Sequence, residues 1–167
     1  GERLEEHEIV MGFFLLMAAG NDSTKATYCS GMRALLEDPS QMRQVLDDPS
    51  LIPSAVEESL RMFPAFAHFG RTATVDTELN GQPIKAGDKV VMWYVSGNRD
   101  GTVIDNPDAF IIDRERPRHH LSFGFGIHRC VGNRLAEMQL RIVWEEVLKR
   151  FPRIDVVGEP TRVYSSF

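Results

Sequence analysis

The chain has 167 residues, of which 43% are hydrophobic and 26% are charged, a composition typical of a globular protein with a hydrophobic core. Its formal net charge of -5 argues against nucleic-acid partners and against binding to an anionic membrane surface, because both require a basic surface. The most apolar run, residues 9–19, is shorter than the ~20 residues that cross a bilayer, and acidic residues precede it, so we expect no transmembrane segment, no signal peptide and a cytoplasmic protein.

The first predicted element is a long helix over residues 8–36. Ile9 and Phe13 follow helical spacing. Small and polar residues then occupy positions 18–24, where Gly20 lowers helix stability by about 1 kcal/mol relative to alanine. Hydroxyl, carboxyl and amide side chains compete with the helix for backbone hydrogen bonds. Their concentration inside one helix therefore indicates a segment with a function.

Two shorter helices are predicted next. One covers residues 41–47, directly after a Pro-Ser start signal. Ser54 is expected to cap the second, which runs through Met62 until Pro64 ends it.

Strand patterns follow at residues 71–79, 82–84 and 89–95. Asn80-Gly81 is a strong signal for a two-residue hairpin turn between the first two strands. Small β-sheets are therefore expected beside a mainly helical structure.

The last third of the chain is predicted to be a long loop followed by one helix. Residues 96–127 are rich in glycine, proline, asparagine and aspartate, and loops of this length usually carry function. The helix is expected over residues 131–150. Its predicted apolar stripe consists of Leu135, Met138, Ile142, Trp144, Val147, Leu148 and Phe151.

The segment over residues 121–132 combines glycines with a cysteine at the start of the last helix. Glycines let a backbone turn lie close to a flat ligand, and a helix N-terminus stabilises the thiolate of Cys130. Spacing alone leaves open a glycine-rich turn with a buried cysteine. A zinc site with His119, His120 and His128 fits less well, because short paired ligand spacings are missing. The other cysteine, Cys29, is expected to be a buried core thiol.

The order of residues in this segment resembles the heme-binding signature of the cytochrome P450 family. The matching positions are Phe123, Gly124, Gly126, His128, Cys130 and Gly132. The resemblance implies heme b as cofactor, dioxygen as co-substrate and Cys130 as the thiolate ligand of the heme iron, with Phe123, Gly124, His128 and Gly132 beside the heme. It also implies a mainly α fold with small β-sheets, in which residues 1–167 are the C-terminal, heme-binding part of a single P450 domain. Residues 163–167 resemble the start of the last β-hairpin of that fold, whose end and whose N-terminal half would lie outside this chain.

Further motifs of the family occur upstream of the signature. Glu58 and Arg61 resemble its E-x-x-R element, and Arg114 resembles the arginine that joins this pair to lock the core around the heme. Arg71 and His120 resemble the residues that bind the heme propionates, for which charge-assisted hydrogen bonds are suited.

The polar segment of the first helix resembles the oxygen-activation segment of the family. The resemblance implies that Ala19 and Gly20 lie against the heme and that an acid, Asp22, and a hydroxyl relay protons to dioxygen. Ser23 stands where the family usually has threonine, so either Ser23 or Thr24 delivers the proton. The helix is expected to be distorted here to give oxygen room.

Residues 89–167 look especially like the bacterial alkane hydroxylases of the superfamily, whereas residues 50–80 match that subgroup less well. The resemblance implies hydroxylation of a medium-chain alkane or fatty acid at the terminal carbon. The expected substrate contacts are Leu15, Leu16, Ala65, Phe66, Ala67 and Phe69. A terpenoid or steroid substrate and a non-catalytic heme module are the alternatives.

Electrons are expected to come from NAD(P)H through a ferredoxin or similar partner, because the chain has no dinucleotide-binding fingerprint. Arg118, Arg129 and Arg134 are basic residues that would suit an acidic carrier. A complete family member is more than twice as long, so we expect the isolated chain to be inactive.

Overall fold

The computed structural model describes residues 3–151, 153–159 and 161, and it confirms the mainly helical fold class with small β-sheets. The predicted hairpin at residues 163–167 lies outside the described residues. The helices are α1 (Glu6–Glu37), α2 (Pro39–Asp47), α3 (Ile52–Met62), α4 (Tyr94–Gly97) and α5 (Asn133–Arg150). The strands are β1 (His68–Thr72), β2 (Thr77–Leu79), β3 (Gln82–Ile84) and β4 (Lys89–Trp93). Short 3-10 turns occur at Pro49–Leu51 and Gly126–His128.

Helix α1 runs through its polar segment without interruption. The hydroxyl of Ser23 donates to the carbonyl of Ala19 at 2.7 Å, and that of Thr27 donates to the carbonyl of Ser23 at 3.1 Å. Hydroxyl groups that bond one turn back in this way satisfy themselves within the helix, although they tend to bend it. The segment is therefore accommodated by local hydrogen bonds rather than by a break.

The core lies where the C-terminal half of α1 meets α3 and α5. Trp144 and Leu35 are fully buried at its centre. Gly31 brings the helices close together, because an added Cβ would lie 2.2 Å from Ser59 Oγ and 3.0 Å from the ring of Trp144. Only a residue without a side chain fits at this crossing of α1.

An aspartate caps α2, whereas no side chain caps α3, the helix for which a serine cap was expected. Asp38 accepts hydrogen bonds from the backbone N–H groups of Ser40 and Gln41 at the start of α2. Hydrogen bonds from the side chains of Ser40 and Gln41, together with these backbone bonds, lower the pKa of Asp38 to about 2. The predicted cap at Ser54 is wrong: the 3-10 turn before α3 moves the helix start back to Ile52 and leaves Ser54 inside the helix.

The two sheets are each built from two antiparallel strands. Strands β2 and β3 form the predicted hairpin, in which Asn80 and Gly81 both have positive φ, as a type I′ turn requires. The strand predicted over residues 71–79 is split, because β1 pairs with β4 while β2 pairs with β3. Register in the larger sheet places His68 opposite Trp93 and Arg71 opposite Val90.

One expectation about burial is correct only in part, and another is wrong. The predicted stripe of α5 is confirmed at Trp144, Val147 and Leu148, which pack in the core with Leu140, whereas its other members Leu135, Met138, Ile142 and Phe151 are exposed. The helix has two apolar faces, and periodicity does not tell which one packs. Cys29 is exposed rather than buried, because it lies about 200° around α1 from the core-facing Thr27. None of the described helices is long and apolar enough to cross a membrane.

Candidate functional site

The loop before α5 presents Cys130 on a tightly folded backbone. Gly124 and Gly126 both have positive φ, and a Cβ on Gly124 would lie 3.2 Å from the hydroxyl of Tyr94. The N–H of Cys130 donates to the carbonyl of Phe123 at 2.8 Å, which closes the loop on itself. The thiol of Cys130 is exposed three residues before α5 begins. The glycines thus serve the turn that the sequence predicted and hold the thiol at the surface of the loop.

Apolar side chains beside Cys130 are also exposed. The exposed fractions are 82% for Phe125, 95% for Ile127 and 90% for Val131, close to those of an extended chain. Burial of such surface is worth about 25 cal/mol per Å². An open thiol surrounded by apolar side chains is the donor set expected for a flat, apolar ligand held through sulfur, so these residues fit a heme.

A cavity of about 290 Å³ lies next to this loop and brings two predicted heme residues together. Its lining consists of Arg71, Met92, Trp93, Tyr94, Leu121, Phe125 and His128. The guanidinium of Arg71 makes a single side-chain hydrogen bond within the described residues, to the carbonyl of Gly70 at 2.9 Å. It therefore keeps donors for a carboxylate, and a carboxylate in this cavity would lie beside both Arg71 and His128.

His120 has different neighbours from Arg71. Its Nε2 lies 3.0 Å from Glu57 Oε2, and its Nδ1 accepts the N–H of Ser122 at 3.2 Å. The side chain is only 3% exposed. Because Nδ1 accepts, the ring proton sits on Nε2 and is donated to Glu57. The predicted contact of His120 with a propionate would require the ring to leave both partners, and it stays a prediction.

Glu58 is the centre of a buried ion cluster that contains Arg61 and Arg114, the three residues expected to act together. Arg61 donates to both carboxylate oxygens at 2.7 and 2.8 Å, and Arg114 does so at 3.0 and 3.2 Å. The N–H of Ile111 adds a bond at 2.8 Å. Burial alone would raise the pKa of Glu58, but these hydrogen bonds from Arg61, Arg114 and Ile111 outweigh it and lower the pKa below its ordinary value.

Asn98 is a residue that the sequence analysis did not single out. It is fully buried, and its side-chain amide donates to the carbonyl of Arg61 at 3.0 Å and to Ser122 Oγ at 2.8 Å. Its side-chain carbonyl accepts the N–H of Leu121 at 2.7 Å. Asn98 thereby connects α3 to the Cys130 loop. A polar residue buried inside a long loop is the feature that distinguishes Asn98, but no pattern in the sequence indicates that it is buried.

The predicted oxygen-activation residues lie on one turn of α1. Asp22 pairs with Lys25 at 2.7 Å, and both side chains are exposed. The hydrogen bond that Lys25 donates to the Asp22 carboxylate raises the pKa of Lys25. Within the described residues, no hydrogen bond or ion pair joins Asp22, Ser23 or Thr24 to the Cys130 loop, so their role stays a prediction.

The predicted substrate-contact loop forms an aromatic cluster at the cavity. The rings of Phe66 and Phe69 have centroids 5.4 Å apart, and Phe69 lies 5.9 Å from Tyr94, which lines the cavity. Ala65 and Ala67 are exposed on the same loop, and Leu15 and Leu16 are exposed on α1. The structure therefore connects Phe66 and Phe69 to Tyr94 of the cavity wall, although neither of them lines the cavity, and their contact with substrate stays a prediction.

Zinc was the other interpretation of the histidines near Cys130. Among the residues that the structure describes, no three histidine, cysteine, aspartate or glutamate side chains are grouped to hold a metal ion. His120 lies with Glu57, whereas His128 lines the cavity. The histidines therefore face different neighbours.

Comparison with known proteins identifies the class. The family model for cytochrome P450 matches residues 44–159, and the chain therefore belongs to the cytochrome P450 family of heme-using monooxygenases. A solved structure, the cytochrome P450-153 from Novosphingobium aromaticivorans, is 54% identical, with a TM-score of 0.79 over 82% of this chain and 35% of that chain.

Two curated relatives are named for different activities. The steroid C26-monooxygenase of Mycolicibacterium smegmatis is 39% identical over 95% of this chain and 39% of its own length. The methyl-branched lipid omega-hydroxylase of Mycobacterium bovis is 40% identical over 100% of this chain and 39% of its own length. The chain thus spans about two fifths of the length of these relatives.

Proposed function

We propose that this chain is the heme-thiolate part of a cytochrome P450 monooxygenase in which Cys130 binds the heme iron. The observation that carries the proposal is the exposed Cys130 thiol in a matching signature loop, beside exposed apolar side chains and a cavity that contains Arg71 and His128. When bound, a thiolate-ligated heme activates dioxygen for insertion of one oxygen atom into a C–H bond. The chain's own residues would hold the heme and supply protons.

Heme would be held from several directions. Phe123, Gly124 and Gly132 belong to the turn around Cys130, and Arg71 supplies a guanidinium with free donors for a carboxylate. The Cβ of a residue at position 132 would lie 3.9 Å from the sulfur of Cys130, so glycine keeps this side of the sulfur open. Ala19 and Gly20 on α1 are proposed to lie against the heme as well.

Proton delivery is proposed to involve the acid and hydroxyls of α1. The exposed Asp22 carboxylate can exchange protons with solvent, and the next residues carry the hydroxyls of Ser23 and Thr24. Ser23 Oγ donates its own proton to Ala19 in this structure, so its oxygen still accepts one. To pass a proton on, Ser23 would have to release its bond to Ala19, and Thr24 is the other hydroxyl proposed to deliver the proton.

A medium-chain alkane or fatty acid, hydroxylated at the terminal carbon, is the proposed substrate. The aromatic rings of Phe66, Phe69 and Tyr94 lie against one another, and such an apolar surface favours an aliphatic chain. The omega-hydroxylase relative and the resemblance to alkane hydroxylases support this choice. A steroid or terpenoid is the second candidate, because a steroid C26-monooxygenase is similar to nearly the same extent.

The proposal is tested in a chimera in which this chain replaces the matching segment of the cytochrome P450-153 from Novosphingobium aromaticivorans. The reduced chimera should give the carbon monoxide difference spectrum of a thiolate-ligated heme, and Cys130→Ser should abolish it. Cys29→Ser, at the other exposed cysteine, is the matched control and should leave the spectrum unchanged. A thiolate spectrum that survives in Cys130→Ser would overturn the ligand assignment.

Substrate and electron donor need separate assays. A ferredoxin and its NAD(P)H-dependent reductase are the proposed source of electrons, in the cytoplasm of a bacterium. The chimera and its parent should be incubated with n-alkanes, fatty acids, terpenes and steroids, with product analysis. Terminally hydroxylated alkanes or fatty acids support the proposal, whereas products from steroids or terpenes alone favour the second candidate. Heme binding without any product would favour a non-catalytic module.

A further inference from the structure

A charged cluster beside the Cys130 loop connects the two ends of that loop. We name it the Glu57 cluster, and it consists of Glu57, Arg118, His120, Arg134 and Glu137. Arg118 Nε donates to Glu57 Oε1 at 2.9 Å, while its Nη2 donates to Glu137 on α5. Arg134 reaches the same Glu137 oxygen at 3.0 Å. The cluster thus closes the base of the loop between residues 118 and 137.

The carboxylates of this cluster are shielded from solvent, unlike most surface ion pairs. The side chains of Glu57 and Glu137 are 7% and 12% exposed, respectively. Arg118 and Arg134 are 56% and 70% exposed, so solvent screens their pairs with these carboxylates, whereas the hydrogen bond from the buried His120 to Glu57 is of the kind that contributes about 1.5–3 kcal/mol. Arg118 and Arg134, which the sequence offered as docking residues, are therefore engaged within the chain.

Glu57 also reaches the backbone that holds Cys130. It accepts the Nε2 proton of His120, whose Nδ1 in turn accepts the N–H of Ser122. The next residue, Phe123, provides the carbonyl that accepts the N–H of Cys130. A continuous path of hydrogen bonds and one peptide unit therefore runs from Glu57 to the backbone of Cys130.

We propose that Glu57 is a positioning residue for the thiolate ligand, acting through Arg118 and His120 rather than through contact with the heme. The proposal rests on the proposed function for the role of Cys130. Glu58 holds the preceding loop through Arg114, and its neighbour Glu57 holds the Cys130 loop from the same helix. Consecutive carboxylates of α3 thus fix two successive loops.

The first test measures the loop without reference to heme. Hydrogen exchange of the chimera should be followed in peptides that cover residues 121–132. Glu57→Ala should speed exchange at the Cys130 amide about tenfold or more, the factor expected from losing one hydrogen bond to a charged group. Peptides from α2 should keep their rates. Glu146→Ala, which removes an exposed pair with Arg150 on α5, is the control and should change neither peptide.

The second test reads the iron ligand. In the reduced carbon monoxide complex, Glu57→Ala should raise the ratio of thiol-ligated to thiolate-ligated heme about tenfold, and Glu57→Gln, which keeps one acceptor, should raise it less. His120→Ala should add little to Glu57→Ala, because both break the same path. Additive effects would instead indicate that His120 acts directly on the heme and would overturn the shared path.

The outcomes separate the two proposals. If the unsubstituted chimera lacks the thiolate spectrum, the proposed function fails, and hydrogen exchange still reports whether Glu57 orders the loop. If the chimera has that spectrum but Glu57→Ala leaves both exchange and ligand ratio unchanged, the positioning role is wrong. Should Glu57→Ala prevent folding, Glu57→Gln carries the test, and equal exchange in Glu57→Gln and the parent chimera would also overturn it.

Discussion

Removal of the Glu58 carboxylate should be among the most damaging single substitutions in this chain. Glu58 is fully buried, and both guanidiniums that it binds are at most 10% exposed at the side chain. Glu58→Ala would leave these two cations close together and without their counter-ion. Breaking a buried ion pair by removing one partner costs about 3–5 kcal/mol. Arg61 keeps bonds to the carbonyls of Asn98, Pro107 and Ala109, which favours the lower end of that range.

The assay is urea unfolding of the chain followed by circular dichroism, together with the heme content of the chimera. Glu37→Ala, which removes an exposed pair with Arg33 one turn away, is the control and should cost at most about 0.5 kcal/mol. Heme content should fall in Glu58→Ala while turnover per bound heme changes less. A Glu58→Ala chain whose free energy of unfolding lies within about 1 kcal/mol of the parent would refute the reasoning, because such a value is typical of a surface pair.

Three further predictions follow from the same contacts. Gly31→Ala should destabilise the chain by about 1–3 kcal/mol, measured by urea unfolding, and Ser59→Gly in the same chain should recover part of the loss, since Ser59 Oγ is the atom in the way. Acid should weaken the fold, because the pKa of Glu58 is lower in the folded chain than in the unfolded chain. The stabilisation by Glu58 is present above the unfolded pKa near 4.5 and is lost as the pH falls through the folded pKa. In a series of unfolding curves at different pH, Glu58→Gln should lack this loss. Asp22→Asn in the chimera should slow oxygen activation and uncouple reductant use from product while heme content stays constant, whereas normal coupling would contradict the proton relay.

Local signals in the sequence predicted the local structure well. The hairpin at Asn80 follows from the backbone conformation that its turn requires, and the loop at Cys130 follows from its glycines. Both features depend on residues that are neighbours in the chain. The long helix α1 was predicted for the same reason, because the helical spacing of its apolar residues is visible in one continuous stretch of sequence.

The features that were missed depend on distant parts of the chain. Arg118 contacts Glu57 across 61 residues and Asn98 contacts Arg61 across 37, separations that no spacing rule covers. The bond of His120 to Glu57 spans 63 residues and was likewise not indicated by the sequence, whereas its contact with a propionate stays a prediction. The buried face of α5 was predicted only in part for a related reason: both of its faces are apolar, and the positions of α1 and α3 select the face that carries Trp144 for the core.

Helix α1 packs closely against α3 and α5 at Gly31, so a tilt of the helix there would displace residues further along it. Gly20 lies about 16 Å along the helix axis from that crossing, at 1.5 Å per residue. A tilt of about 5° at Gly31 would swing Gly20 by about 1.4 Å, and a displacement of about 1 Å at a reacting centre can cost a factor of about 100 in rate. The residues that contact α1 at this crossing are Ser59 and Trp144, neither of which is proposed to touch heme or substrate. Under the proposed contact of Gly20 with the heme, substitutions at this crossing would change activity without touching the heme.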